Sequence, residues 1–568
     1  MRTLNLGILA HVDAGKTSLT ERLLFAAGVI GEIGSVDDGT TQTDTMALER
    51  QRGITIKTAV ASFTLDDLTV NLIDTPGHPD FIAEVDRALS VLDGAVLVVS
   101  AVEGVQAQTR VLMRALRRLR LPALIFVNKI DRPGAAVEPV LRDIATRLTP
   151  AIVPMGTVLA PGTAHASYRP YDAADAGLTA RLTDLLAEHD DSLLAAYLDD
   201  ERSVSWDRLR AGLTAQTGRS LVHPVFFGSA ITGAGVPALT AGLREFLPAA
   251  GGAAGGPAAG IVFKVGRGPT GGVDRSSAAA KVAYVRMFAG TVRVRDRLPL
   301  PGGPRVTAIS VFEGGSPVRR DSVAAGQIAT LRGLAGVRIG DMFGPARSPG
   351  EGHFSPPALE TIVVPARRAG QGALHTALTQ LAEQDPLINL RQDDVRRELS
   401  VSLYGEVQKE VIAATLAAEF GIAVEFRETT TICIERPAGR GAAVDRLGEP
   451  GHPFLATVGL RIDPAEAGSG VRFGLDIELG ALPLAFLRAV EDTVHATLRQ
   501  GRHGWQVTDC TVTMTHSGYY PRQSHAHGRF DKAMSSTAND FRGLTPLVVM
   551  AALSQAGTCV YEPVQRFR

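Results

Sequence analysis

The stretch that decides the fold is residues 4–17, Leu-Asn-Leu-Gly-Ile-Leu-Ala-His-Val-Asp-Ala-Gly-Lys-Thr. The apolar run Leu4–Ala10 predicts a buried strand, and the apolar spacing of Lys16–Ala27 predicts a helix after a tight turn. A strand, a glycine-containing turn and a helix are the context of a phosphate-binding loop, in which backbone N–H groups and the helix N-terminus hold phosphates. We expect Lys16 to reach the outer phosphates and the Thr17 hydroxyl to bind Mg²⁺.

Composition places the chain among ordinary globular proteins. It has 568 residues, 45% apolar and 21% charged, with a formal net charge of −1, so any nucleic-acid surface must be local. Its length predicts about three to five domains. The three cysteines are widely spaced, and we expect buried free thiols in a reducing compartment. We expect no signal peptide before the first strand and no membrane partner, because no apolar run approaches about 18 to 20 residues.

Further polar motifs each follow an apolar run that predicts a strand. They are Asp74-Thr75-Pro76-Gly77-His78 after Leu68–Ile73, Asn128-Lys129-Ile130-Asp131 after Leu124–Val127, and Gly228-Ser229-Ala230 after Val225–Phe227. Helical patterns alternate with these strands, which predicts an α/β domain with a doubly wound, mostly parallel sheet and the motifs at one edge. Residues 31–53 are polar and predict a long mobile loop before Ile54-Thr55. Leu141–Leu221 predicts an inserted, mostly helical subdomain.

Together the motifs resemble those of the GTPase superfamily. Their exact sequences are similar to those of elongation factor G and its relatives. That subgroup accepts alanine at the position of Ala10, where other phosphate loops have glycine. The resemblance implies GTP and Mg²⁺ as ligands. It implies GTP contacts from Ala10, His11, Val12, Asp13, Ala14, Gly15, Lys16, Thr17, Asp74, Thr75, Pro76, Gly77, His78, Asn128, Lys129, Asp131, Ser229 and Ala230.

The choice of guanine has a physical reason. The Asp131 carboxylate can accept hydrogen bonds from the N1–H and 2-amino groups of guanine, a donor pair that adenine lacks. ATP would leave this carboxylate unpaired at a cost of about 1–3 kcal/mol or more. Asn128 would support the base, the Lys129 stem would pack on it, and the backbone of Ser229 and Ala230 would bind O6.

Hydrolysis is predicted from the same resemblance. Lys16, Gly77 and His78 are the expected catalytic residues, with His78 positioning the attacking water after passing a gate of Val12 and Ile54. Thr17 and Thr55 would bind the metal directly and Asp74 would act in its outer coordination sphere. Asp13 has two interpretations that remain open. Its carboxylate either stabilises the loop or binds a cation near the phosphates.

The remainder of the chain predicts a β-barrel followed by two α+β domains. We expect a GTPase domain at 1–248, a barrel at 259–347 with a hairpin turn at Ala289-Gly290, and α+β domains at 357–436 and 437–560. Residues 249–258 are a linker by composition. Residues 561–568 are expected to be the start of a fifth domain that the chain otherwise lacks.

Two later segments resemble the tetracycline ribosomal protection proteins, in particular the oxytetracycline type. One is Ser402–Val411, at the start of a predicted helix, and the other is Gly504–Cys510. The resemblance implies binding to the 70S ribosome, at ribosomal RNA of the small-subunit decoding region. The expected contact loop is Tyr519, Tyr520, Pro521, Arg522, Gln523 and Ser524. By composition alone, a solvated loop with both tyrosines in the core is an equal alternative.

Three functions follow for a protein that we expect to be a cytoplasmic monomer. The first is a ribosome-dependent GTPase that releases tetracycline from the small subunit. The second is a translocase of the elongation factor G type. The third is a GTP-dependent ribosome-binding regulator without productive hydrolysis, which would have no use for an activating imidazole at His78.

Overall fold

The alternation of apolar runs and polar turns in the sequence produces several separate sheets along the chain. The computed structural model describes residues 2–34, 41, 47–52, 54–199, 204–252, 255–267, 281–345, 353–367, 370–393, 398–448, 453–478, 480–521 and 535–561. The chain divides into two compact units, residues 1–357 with 363–427, and residues 358–362 with 428–568.

The N-terminal part of the first unit is an α/β domain. Its elements are β1 (Arg2–Ala10), α1 (Lys16–Ala26), α2 (Ala47–Arg52), β2 (Ala59–Leu65), β3 (Leu68–Asp74), α3 (Ile82–Leu89), β4 (Gly94–Ser100), α4 (Ala107–Leu119), β5 (Ala123–Asn128), α5 (Val137–Arg147), β6 (Ile152–Pro154), β7 (Gly156–Leu159), β8 (Ser167–Pro170), α6 (Ala176–Ala187), α7 (Asp191–Asp199), α8 (Trp206–Gly218), β9 (His223–Phe227) and α9 (Val236–Phe246). A 3₁₀ turn, Pro79–Phe81, precedes α3.

The main sheet has seven strands in the order β2-β3-β1-β4-β5-β9-β6. All neighbouring strands are parallel except the β2–β3 pair. Every residue of β4 is buried, as expected for a strand covered by helices on both faces. The predicted doubly wound, mostly parallel sheet is therefore confirmed, and the carboxyl ends of β1, β3, β5 and β9 meet at one edge.

One prediction within this domain is wrong in part and another is incomplete. The predicted loop 31–53 contains the helix α2 (Ala47–Arg52), while residues 35–40, 42–46 and 53 lie outside the described part. The predicted helical insert contains strands as well as α5 to α8. Strand β6 joins the main sheet beside β9, and β7 pairs with β8. These strands have three or four residues, which is too short for an alternating pattern to be visible in the sequence.

The next part of the first unit is an antiparallel β domain. Its strands are β10 (Ala259–Arg267), β11 (Lys281–Ala289), β12 (Thr291–Arg293), β13 (Ala308–Glu313), β14 (Ser316–Arg320), β15 (Ser322–Ala324), β16 (Ile328–Arg332) and β17 (Met342–Phe343). Six of them form a sheet in the order β14-β13-β16-β11-β10-β17, and β12 pairs with β15. The predicted hairpin at Ala289-Gly290 is wrong, because β11 and β12, on either side of this turn, belong to different sheets.

The last part of the first unit, residues 363–427, is called the α10–α11 domain below. Its elements are the end of β18 (Leu359–Pro365), α10 (Gln371–Gln384), β19 (Arg391–Asp393), β20 (Glu398–Leu403), α11 (Glu406–Phe420) and β21 (Val424–Phe426). The strand order is β19-β20-β18-β21. A 3₁₀ turn at Pro386–Ile388 follows α10. The predicted strand-helix-strand-helix-strand order of an α+β domain is confirmed.

The second unit is also α+β. Its elements are β22 (Thr430–Thr431), β23 (Ile434–Pro437), β24 (Gly441–Asp445), β25 (Ala456–Pro464), β26 (Val471–Leu475), α12 (Leu484–Thr497), β27 (Gln506–Val507), β28 (Cys510–Tyr519), α13 (Ala538–Ala556) and β29 (Thr558–Tyr561). One sheet has the order β24-β25-β28-β26 and a smaller sheet the order β27-β23-β29. Buried apolar residues of β25, β28, α12 and α13 form its core.

Two expectations for this unit change. Cys510 is buried as predicted, whereas Cys433 is half-buried and Cys559 is exposed. Tyr561, predicted to begin a fifth domain, pairs with Ile434 in the smaller sheet of this unit. Residues 562–568 lie outside the described part. No helix in the described part of the chain combines the length and the apolar character needed to cross a membrane.

We expect one buried histidine to make the stability of this N-terminal α/β domain depend on pH. The imidazole of His223 is buried, and its Nδ1 lies 3.1 Å from the carbonyl oxygen of Ala123. Burial lowers the pKa of His223 from 6.5 to about 4. The folded state therefore binds this proton less tightly than the unfolded state. The stability that depends on neutral His223 is complete above pH 6.5 and decreases as the pH falls towards 4.

We predict that His223→Asn, whose amide can donate to the same carbonyl but cannot titrate, reduces the loss of stability between pH 7 and pH 4.5. The difference should approach about 3 kcal/mol at the acidic end. Urea unfolding followed by Trp206 fluorescence, with Trp505 replaced by Phe, measures this domain in the full chain. Parallel pH profiles for the two proteins would contradict the assignment.

Candidate GTP site

A cavity of about 580 Å³ lies at the edge of the sheet where the polar motifs meet. Most residues predicted to bind GTP line it. They are His11, Val12, Asp13, Gly15, Lys16, Thr17, Gly77, His78, Asn128, Lys129, Asp131, Ser229 and Ala230, with Ile54 and Thr55. Ala10, Ala14, Asp74, Thr75 and Pro76 are buried behind this lining.

The side chain of Asn128 connects two loops of the cavity. Its Nδ2 donates to the carbonyl oxygen of Ala14 at 2.8 Å, and its Oδ1 accepts from the N–H of Ala230 at 2.9 Å. Gly15 is left-handed, with φ of 88°, and a Cβ there would lie closer than 3.0 Å to Asn128 Nδ2. Glycine is therefore required at this position both by the backbone conformation and by the close approach of Asn128.

The charged centre of the cavity is a buried ion pair. Lys16 Nζ lies 2.5 Å from Asp74 Oδ1 and donates to Thr55 Oγ1 at 3.0 Å. The hydroxyl oxygens of Thr17 and Thr55 are 3.3 Å apart, and Thr20 Oγ1 donates to Asp74 at 3.4 Å. Two hydroxyls beside a carboxylate are the oxygen donors that Mg²⁺ prefers, so these residues fit the metal that the family implies.

The base-binding side of the cavity has an unusual carboxylate. Asp131 Oδ1 is buried and, within the described residues, has no hydrogen-bond partner. A buried acceptor without a donor is costly, and the N1–H and 2-amino groups of guanine would supply the missing donors. Lys129 has φ of 65° and its Nζ donates to Glu103 Oε1 at 3.0 Å. The buried Asp131 carboxylate oxygen therefore favours guanine over adenine.

Two residues that sequence reasoning missed, Glu103 and Arg22, hold the cavity together. Glu103 Oε2 lies 3.4 Å from His11 Nε2, so Glu103 joins His11 to Lys129, and burial lowers the pKa of His11. Arg22 Nε donates to the carbonyl oxygen of Ala230 at 2.8 Å. Neither residue belongs to a recognisable motif, because each acts through partners that are distant in the sequence.

The predicted catalytic imidazole is fixed from one side. His78 Nδ1 accepts from the N–H of Asp80 at 3.2 Å, and the side chain is 25% exposed at the cavity. In the neutral ring, an accepting Nδ1 leaves the proton on Nε2. Val12 and Ile54, the predicted gate, line the same cavity as His78.

The predicted ribosome-contact loop is only partly described. The Tyr519 ring packs edge-on against Phe486 at 5.8 Å, beside the core of the second unit, while Tyr520 is 43% exposed. Tyr519 thus matches the core alternative and Tyr520 the surface one, because neighbouring residues at the end of a strand face opposite sides. Pro521 is exposed. Arg522, Gln523 and Ser524 lie outside the described residues.

The fold and cavity define the class as a GTP-binding protein of the translation-factor type, and comparisons with known proteins agree. The model of the elongation factor Tu GTP-binding domain matches residues 1–249. The models of elongation factor G domains III and IV match residues 354–428 and 423–557. A crystal structure of a Thermus thermophilus protein superposes with a TM-score of 0.65 at 25% identity, covering 99% of this chain and 85% of that one.

Relatives that match over the whole of this chain identify its family within this class. The chain is 51% identical to the oxytetracycline resistance protein of Streptomyces rimosus, over 100% of this chain and 85% of that protein. It is 48% identical to the tetracycline resistance protein TetM of Streptomyces lividans, over 100% and 86%, and 38% identical to TetP of Clostridium perfringens, over 100% and 84%. The chain belongs to the tetracycline ribosomal protection family of elongation-factor-G-like GTPases, as its motifs predicted.

We predict that Asp131→Asn exchanges the base preference of the site. The amide cannot accept from both donors of guanine, so the Kd for GTP should rise about 10- to 100-fold. Xanthine has a carbonyl in place of the 2-amino group, and the amide can donate to it, so the Kd for XTP should fall. Titration with fluorescent nucleotides measures both constants. Asp207→Asn, on the exposed side of α8, is the control, and equal GTP affinity in both variants would refute the role of Asp131.

Proposed function

We propose that this protein is a ribosome-stimulated GTPase that releases tetracycline or oxytetracycline from the small subunit of the 70S ribosome and thereby confers resistance. The observation that carries the proposal is the alignment of the entire chain with proteins named for tetracycline resistance. The convergence of most predicted GTP-site residues on one cavity supports it. We further propose that it acts as a cytoplasmic monomer.

Hydrolysis would use residues that already converge in the cavity. Lys16 and the backbone N–H groups of the phosphate loop would stabilise negative charge on the phosphates. Thr17 and Thr55 would hold Mg²⁺, which neutralises phosphate charge when bound, with Asp74 behind them. His78, with its proton on Nε2, would orient the attacking water while Gly77 lets the backbone approach the γ-phosphate.

A translocase of the elongation factor G type is the second candidate, because the domain III and IV models of that factor match this chain. Both functions require ribosomal RNA contact, which we propose for Tyr520 and the loop after it, at the small-subunit decoding region. A regulator without hydrolysis is the third candidate. It would not need His78 at the cavity.

We predict that His78→Ala keeps GTP affinity within about twofold and lowers ribosome-stimulated kcat by about 100-fold or more, as expected when a water-positioning group is lost. Phosphate release with and without ribosomes measures both effects. His165→Ala, at an exposed position of the same domain, should behave as wild type. Equal stimulated rates for His78→Ala and wild type would favour the regulator.

The drug-release function has a direct test. With GTP, the wild-type protein should release labelled tetracycline from ribosomes, and Lys16→Ala, which lacks the phosphate-binding ammonium, should not. A variant shortened between Tyr520 and Ser524 should hydrolyse GTP but release no drug. Absence of release by the wild type would refute the proposal. Restored peptide synthesis in an extract depleted of elongation factor G would then support the translocase.

A further inference from the structure

Helix α11 of the α10–α11 domain packs against the two segments that carry the expected metal ligand Thr55 and the expected catalytic residue His78. Ile56, Phe81 and Val411 form a small buried apolar cluster, with Ile54 and Val407 packed beside it. Ile54 and Ile56 flank Thr55 in the sequence, and Phe81 follows shortly after His78. Val407 and Val411 belong to α11. One face of α11 therefore contacts both the segment of Thr55 and the segment of His78.

The N-terminus of α11 receives its cap from the GTP-binding domain. Gly405 precedes the helix and has no side chain to cap it. Instead, Asp80 Oδ2 accepts from the N–H groups of Val407 at 2.9 Å and Gln408 at 3.3 Å. These are two of the first-turn N–H groups that have no partner within a helix, and a carboxylate there is favoured by the helix dipole.

The same residue holds His78. The N–H of Asp80 donates to His78 Nδ1 at 3.2 Å, and Asp80 Oδ1 lies 3.4 Å from that nitrogen. Asp80 is itself 9% exposed, so its contacts are shielded from water. Asp80 thus connects the helix N-terminus directly to the predicted catalytic imidazole.

The residue before α11, Gly405, leaves room for this contact. Gly405 has φ of −175°, an extended conformation that any residue adopts. A Cβ at Gly405 would lie closer than 3.0 Å to both carboxylate oxygens of Asp80. Glycine is therefore needed here for the approach of Asp80 rather than for the backbone conformation.

A second contact holds the other end of the segment that follows His78. Arg87, in the last turn of α3, donates to Glu84 at 2.6 Å and to Asp385 at 2.9 Å. Asp385 also accepts from the N–H of Leu387 and so caps the 3₁₀ turn after α10. Glu84 accepts from Thr58 Oγ1 at 2.8 Å. This bond connects α3 to the segment between Thr55 and β2. Burial opposes ionisation of Glu84, but the nearby positive charges lower its pKa to about 2.

We propose that Asp80 is a positioning residue for GTP hydrolysis. It transmits the docking of α11 to the ring of His78, so that the catalytic arrangement is complete only while the α10–α11 domain is docked. The inference rests on the proposed function, because it assumes that His78 promotes hydrolysis. A ribosome that moved this domain would thereby control the GTPase site without touching the nucleotide.

The test compares variants on both sides of the contact. Asp80→Ala should lower ribosome-stimulated kcat about 10- to 100-fold, the scale expected for a misplaced catalytic group, with the Kd for GTP unchanged within about twofold. Asp80→Asn, whose amide oxygen can still accept from α11, should recover most of the rate. Gly405→Ala, whose Cβ displaces the Asp80 carboxylate, should lower kcat in the same way. Gly372→Ala, in the first turn of α10 with open space around it, is the matched control.

A double-mutant cycle separates positioning from folding. In the Asp80→Ala background there is no carboxylate for the new Cβ to displace, so adding Gly405→Ala should change kcat little further. If Gly405→Ala acted by destabilising the α10–α11 domain, its effect would be the same in both backgrounds. Melting temperatures of all variants, compared with Gly372→Ala, complete the control.

The outcomes distinguish this inference from the proposed function. A stimulated rate that is lost in His78→Ala but retained in Asp80→Ala and Gly405→Ala overturns the inference alone. Equal effects of Gly405→Ala in both backgrounds also overturn it. A wild type whose rate equals that of His78→Ala, with and without ribosomes, overturns both proposals.

Discussion

The buried ion pair between Lys16 and Asp74 is the interaction on which the GTP site depends. It joins the helix that follows β1 to the end of β3, and Thr55 is bound to the same ammonium. A buried charge is tolerated only when it is paired and hydrogen-bonded, so these residues hold one another in place. The parallel order of β3, β1 and their neighbours brings the pair to the edge where Asn128 and Asp131 also emerge. The residues that we expect to bind phosphate, metal and base thus share one edge of the sheet.

Around this edge, the segments that carry Thr55 and His78 contact a domain that does not line the cavity. The segment after His78 is held at Asp80 by the first turn of α11 and at Arg87 by Asp385. The contacts are of two physical kinds, charge-assisted hydrogen bonds and a small apolar cluster, and both involve residues near Thr55 or His78 in the sequence. Their number is small enough that movement of the α10–α11 domain would release them together. This gives a physical basis for a GTPase that responds to its macromolecular partner.

The second unit carries the expected ribosome-contact loop rather than residues of the GTP site. Its core is continuous across β25, β28, α12 and α13, and the strand β28 ends at Tyr519, the first residue of the expected contact loop. Tyr519 packs against Phe486 and anchors the end of this strand, which leaves Tyr520 at the surface. Nucleotide chemistry and the proposed contact with ribosomal RNA are therefore built from separate parts of the chain.

The sequence by itself determined the class of protein, because residues that bind phosphate and guanine are few in type and stand at regular positions after apolar strands. It also determined the order of strands and helices wherever these are long, as in β1, β4 and α11. The short strands β6 to β8, the sheet change at Ala289-Gly290 and the exposure of Cys559 were decided by tertiary structure, because three or four residues do not display a period and burial depends on distant partners. The links made by Asp80, Glu103 and Arg87 were likewise visible only in three dimensions. Asp80 and Gly405 are far apart in the sequence, and nothing in either local stretch indicates that the missing side chain of one makes room for the carboxylate of the other.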